Sequence, residues 1–180
     1  DSWYAGYIWP FNELFHSLDH YYNPGAYFGG APIICRDLAD EAKSYYSDGE
    51  RYEAAKRLGY ASHFLTDVGN PMHTGRELEQ ILWRWCHDNY EAHVNARWNS
   101  QFESVVANNY DYYWYTDWSA GTRDLAIYSN GYLDTVIGYV YGLGEQWDYT
   151  QPHTTIDNLT NNLILRTAKY ANGLARYVKS

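Results

Sequence analysis

Apolar residues along the chain fall into blocks with a helical period, separated by breaker-rich stretches. From Arg36, "RDLADEAKSYYSDGE" places Leu38, Ala42 and Tyr45/Tyr46 three to four residues apart and closes near Gly49. "RYEAAKRLGYASHFLTD" keeps that period through Tyr52, Ala55, Leu58, Ser62 and Leu65, and should stop before "VGNP", where Gly69, Asn70 and Pro71 interrupt a helix. A third helix is predicted from about Arg76 to Trp98 on the stripe Leu78, Ile81/Leu82, Trp85 and Asn89. A fourth runs from about Thr122 to Leu143, and a fifth from about Ile156 to Val178. The first 34 residues, rich in Tyr, Trp, Gly and Pro, carry no such period and read as a structured aromatic loop layer. No strand alternation persists, so the expected fold is all-α, a single domain over residues 1–180 with about five helices.

Composition narrows the function. The 180 residues include 21 Tyr and 8 Trp against one Met, a usage that suits a rigid extracellular protein. The formal net charge is -9, which argues against binding duplex nucleic acid through a broad basic surface. No run approaches the about 18 apolar residues of a membrane span. Cys35 and Cys86 lie outside any CxxC pair, so a thiolate metal site is not expected; one disulfide or two buried thiols both remain open.

Chemistry concentrates between residues 61 and 91. His63 and Asp67 lie four apart in the second helical block, so their side chains leave the same face one turn apart. His87 and Glu91 repeat that spacing in the third block, and His73 sits between the two pairs just after Pro71-Met72. Imidazole with carboxylate is the ligand set of catalytic zinc, and histidine-rich ligation favours zinc over calcium or manganese.

"HFLTDVGNPMH", with spacings of 4, 6, 14 and 4 residues through His63, Asp67, His73, His87 and Glu91, resembles the signature of zinc-dependent phospholipase C, a family that shares its fold with the fungal single-strand-specific zinc nucleases. The resemblance implies that His63 and Asp67 hold one zinc, with Asp67 bridging towards a neighbouring ion, and that His73, His87 and Glu91 hold another. It also implies a loop histidine and a loop aspartate on the first zinc. "HYYNP" makes His20 the histidine, with His16 the alternative, and Asp1 would be the aspartate and the general base orienting water. The family's third zinc uses residues upstream of that aspartate; either further residues precede Asp1 or the centre holds fewer ions, giving two or three zincs.

The implied activity is hydrolysis of a phosphodiester by a secreted enzyme, with phospholipid or single-stranded nucleic acid as substrate. The tract "YDYYWYTDW", Tyr110 to Trp118, could line the substrate groove or pack between helices, and Arg76 and Arg84 could meet phosphate or local carboxylates. A different class of function also fits: an extracellular structural protein that self-associates through aromatic surface and retains metal for stability.

Overall fold

The computed structural model describes residues 18–75 and 84–180, and the regular elements among them are helices joined by turns and irregular chain. Among the described residues extended pairing is confined to one isolated antiparallel bridge, Asn23 with Phe28. Helix α1 spans Ala31–Ser47 and α2 spans Arg51–Gly69. After the 3-10 turn Pro71–His73 and the segment outside the described residues, α3 spans Arg84–Arg97 and runs directly into a π-helical turn, Trp98–Phe102, and the short α4, Glu103–Ala107. Then come α5, Trp118–Asn130; α6, Leu133–Leu143; and α7, Thr154–Val178.

Helix α1 begins five residues earlier than the periodic pattern, inside the expected loop layer. Its first turn is apolar on every side that packs: Ala31, Pro32 and Cys35 are all buried, so no polar residue marks a period there. Pro32 suits the first turn, where its missing N–H would have no helical partner. Helix α2 continues through the buried Val68 and Gly69 and stops at Asn70, because Pro71 can supply no N–H and forces extended backbone before it.

The predicted fourth helix is two helices. Side chains at the end of α5 are drawn to other elements: Ser129 Oγ donates to the Val68 carbonyl, and Asn130 Nδ2 donates to the Thr74 carbonyl at 2.8 Å. Gly131, a poor helix former, follows at once, and the chain restarts as α6 in a direction that lets it cover α3. The third predicted helix is described only from Arg84, and the stripe residues Leu78 and Ile81/Leu82 lie outside the described residues.

Two apolar clusters result. In the first, Cys35 and Leu38 of α1, Phe64, Leu65 and Val68 of α2, Trp118 and Leu125 of α5, and Tyr170 and Leu174 of α7 pack together. In the second, Met72, Cys86 and Tyr90 meet Leu133, Val136 and Val140 of α6 and Ile156, Leu159 and Leu163 of α7. Helix α7 belongs to both, its first half in one and its second half in the other. The two cysteines are free thiols, one in each cluster. No described helix is long and apolar enough to cross a membrane.

The aromatic tract splits by position. Tyr113 and Tyr115 pack against the first cluster, which contains Trp118. Tyr110, Tyr112 and Trp114 face solvent. The tract lies along α7, with Tyr113 N–H donating to the Lys169 carbonyl at 3.1 Å and Asn172 Nδ2 donating to the carbonyls of Asn109 and Asp111 at 3.0 Å each. That close approach requires a glycine: a Cβ at Gly173 would overlap the Tyr113 carbonyl oxygen. Gly173→Ala should therefore lower stability by about 1–3 kcal/mol, read as a fall in the urea midpoint. Gly59→Ala, on an exposed face of α2 where a Cβ meets nothing within 4 Å, should raise it by about 0.5–1 kcal/mol. Shifts in the same direction would contradict this packing.

Candidate metal centre

The end of α2, the 3-10 turn and α3 meet at the seam between the two clusters. Their helical spacing puts His63 and Asp67 on one face of α2, and His87 and Glu91 on one face of α3. His20 arrives from the segment before α1, which is pinned to the turn: Tyr22 N–H donates to the His73 carbonyl at 3.1 Å.

Six of the seven residues expected at the site gather into two groups. In the first, His20 Nδ1 lies 2.6 Å from Asp67 Oδ2 and 3.1 Å from His63 Nε2, and His63 Nε2 lies 3.5 Å from the same carboxylate oxygen. In the second, His87 Nε2 is 2.8 Å from Glu91 Oε1, His73 Nε2 is 3.2 Å from it, and the two imidazole nitrogens are 3.2 Å apart. The histidine rings stand almost perpendicular in each group, at 83° and 89°. Ligand atoms about 2.0–2.1 Å from a tetrahedral zinc are about 3.3–3.4 Å from one another. Both groups come close to that spacing, each with one carboxylate oxygen and two imidazole nitrogens turned inward, so the donors present suit zinc.

The surroundings fix which nitrogen faces in. His73 Nδ1 lies 3.2 Å from the His20 carbonyl, which can only accept, so Nδ1 carries a proton and Nε2 is the nitrogen turned to the centre, free to donate to Glu91 when protonated or to take an ion when not. That bond also ties the two groups together. On Glu91, Asn70 Nδ2 donates to Oε1 at 2.9 Å.

Electrostatics differ between the histidines. Burial lowers the pKa of His63, with Asp67 opposing and His20 adding to the depression. Burial would lower His73 too, but its hydrogen bond to Glu91, the charges of Asp67 and Glu91 and the His20 carbonyl outweigh it, and the net shift is upward. Hydrogen bonds from His73 and His87 hold the Glu91 carboxyl well below the usual carboxylate range.

A cleft of about 500 Å³ opens beside both groups, reached by Asp67, Asn70, His73 and Glu91. Its walls are largely apolar, from Val94 and Trp98 on one side to Leu163, Ile164, Ala168 and Ala171 of α7 on the other, and among the described residues no lysine or arginine lines it. The π-helical turn matters here because it places Trp98 in the wall. Nothing in the periodicity announces that turn, and Asn70, which the sequence presents only as a helix breaker, is the other site residue it conceals.

Asp1 and His16 lie outside the described residues, as does Arg76. Arg84 is exposed, 4.0 Å from Asp88, and does not line the cleft. Neither does any residue from Tyr110 to Trp118. His153 caps α7 by accepting from Ile156 N–H, and the fully buried His93 lies 2.7 Å from the Tyr149 carbonyl and 2.8 Å from Asp157, so these two histidines serve the scaffold.

No protein-family model matches the chain, and comparisons with curated proteins and with solved structures return no match.

Two measurements check the geometry. His63→Ala should remove an ion from the first group and His87→Ala from the second, each leaving one fewer zinc per chain, whereas His153→Ala should leave metal content unchanged. In chelated protein, His73 should titrate above, and His63 below, the ordinary imidazole value of about 6.5. His73 then contributes stability that is full below that value and is lost as pH rises through its raised folded pKa, while His63 contributes with the opposite sign. Imidazole proton shifts followed by NMR would show the order, and a reversed order would contradict it.

Proposed function

We propose that this protein is a zinc-dependent phosphodiesterase of the phospholipase C and zinc nuclease type, acting outside the cell. The observation that carries the reading is the convergence of two His, His, carboxylate groups, each near tetrahedral spacing, at the mouth of one cleft. When bound, zinc ions supply Lewis-acid generation of hydroxide near neutral pH and positive charge opposite the phosphate.

The chain's own residues do the rest. His20, His63 and Asp67 would hold one ion, and His73, His87 and Glu91 the other. With three protein donors apiece, each group leaves a coordination position for water or phosphate, as catalytic sites do and closed structural sites do not. Asp67 and Glu91 would each bring one carboxylate to their ion, the hydrogen bonds from His73 and His87 hold the Glu91 carboxyl well below the usual carboxylate range, and the apolar walls exclude bulk water from beside the phosphate.

Between the two substrates, the cleft supports a phospholipid-like ester. One phosphate meets the metal centre and the remainder meets apolar walls. A single-stranded nucleic acid would bring further phosphates along a path on which no described residue is a lysine or arginine, on a chain whose net charge is -9. Tyr27, 84% exposed, and Phe28 lie just after His20 and offer aromatic surface for a lipid interface.

A second reading keeps the metal for stability in a self-associating extracellular protein. The observation behind it is the exposed aromatic set, which includes Tyr52 and Tyr110, both 79% exposed. The deciding experiment counts zinc per chain on protein purified without chelator and follows hydrolysis of bis-p-nitrophenyl phosphate on the same sample. Two or three zincs with turnover that chelator abolishes is the expected result. Zinc without turnover, in particles several times the monomer mass, would replace the enzyme by the structural reading. Phosphatidylcholine should then be hydrolysed faster than single-stranded DNA.

A further inference from the structure

The geometry points to Asn70 as a positioning residue that holds Glu91 to its ion through one oxygen and so keeps a coordination position open towards the cleft. The inference rests on the metal-centre reading above and adds to it a residue that is not itself a ligand.

The orientation of the Asn70 amide follows from its partners. Met72 N–H can only donate, so the atom 3.0 Å from it is Oδ1. Nδ2 must then face Glu91 Oε1, 2.9 Å away. The same Oε1 is the atom that His87 Nε2 and His73 Nε2 approach at 2.8 and 3.2 Å, so it is the donor atom of the second group. A carboxylate oxygen carries two lone pairs in the carboxylate plane. With one directed to the ion and the other to Asn70, the plane is set, and Oε2 cannot swing in as a second donor.

Packing alone would not achieve this. The Glu91 side chain is 49% exposed. Asn70, by contrast, is rigid: its N–H donates to the Asp67 carbonyl at 2.9 Å, its Oδ1 caps the 3-10 turn and Pro71 follows. Asn70 and Glu91 both line the cleft, so the position that Oε2 would otherwise occupy lies beside the substrate space. Loss of the amide donor frees the carboxylate to rotate and chelate through both oxygens, which loosens the selected geometry and fills the open position.

Asn70→Ser separates positioning from capping, because serine keeps an oxygen able to cap the turn but lacks a donor long enough to reach Glu91. The experiment is done in the His63→Ala background, where only the second group loads, with zinc affinity measured by competition and the visible spectrum recorded after cobalt(II) substitution. The expected result is a loss of zinc affinity of about 10–100-fold, together with a change from the intense bands of a four-coordinate cobalt ion to the weak bands of a five-coordinate one. The melting temperature of the chelated protein should be unchanged. Unaltered affinity and spectrum would overturn the positioning role and leave the metal centre standing. An affinity loss matched by an equal destabilisation of the chelated protein, with the four-coordinate spectrum kept, would reduce Asn70 to a cap and overturn it as well. A His63→Ala protein that takes up no ion at all would overturn the metal reading itself, and this inference with it.

Discussion

Two sets of three donor atoms, each set held within about a hydrogen bond's length, form the constraint around which this molecule is arranged. Imidazole nitrogens 3.1–3.2 Å apart, each pair facing one carboxylate oxygen, repel one another unless something positive lies between them. A shared proton, or the cation proposed above, would favour such an arrangement, and a scaffold must hold the donors in place for either. The scaffold here is the end of α2. Its helix stops at a proline, and its last glycine, Gly69, sits where a Cβ would overlap the Thr167 side chain, so α2 and α7 approach closely behind Asp67. Ser129 accepts the task of satisfying the Val68 carbonyl from the other side. Each of these contacts fixes the turn from Asn70 to His73, and that turn sets the distance between the two groups.

The placement of the centre follows from the two apolar clusters. Donors buried inside either cluster would be inaccessible, and donors on the outer surface would move too freely to keep their spacing. At the seam they are partly covered and still open to the cleft, with α7 passing behind both clusters as a common support. The buried His93, Asp157 and Arg97 network, with Arg97 Nη2 donating to Asp157 at 3.1 Å, ties α3 to the start of α7 from the opposite side.

How much of this could be read from residues alone depends on whether the cause was local. The two i,i+4 pairs were legible because a helix fixes the relation between positions four apart. The end of α2 was legible because Asn70-Pro71 acts through adjacent backbone. His20 could be named only by resemblance, since its approach depends on the bond between its carbonyl and the imidazole of His73, 53 residues away. The early start of α1 was hidden by an all-apolar first turn, and the break at Gly131 by bonds from Ser129 and Asn130 to a distant turn. The tyrosines were the least legible: Tyr112 and Tyr113 are neighbours in one aromatic run, yet only Tyr113 meets the core, because extended backbone sends successive side chains to opposite sides.

The two thiols carry a consequence for where such a molecule can persist. Burial pushes Cys35 up to about 12 and Cys86 up to about 11, so almost no thiolate exists at neutral pH to attack a disulfide or be oxidised. Lying in separate clusters, they do not bridge. Histidine and carboxylate side chains make up both donor groups, so no sulfur lies among them. Neither the fold nor the centre is therefore poised against glutathione or any other reducing couple, and the same native state is available to the chain in oxidising and in reducing surroundings.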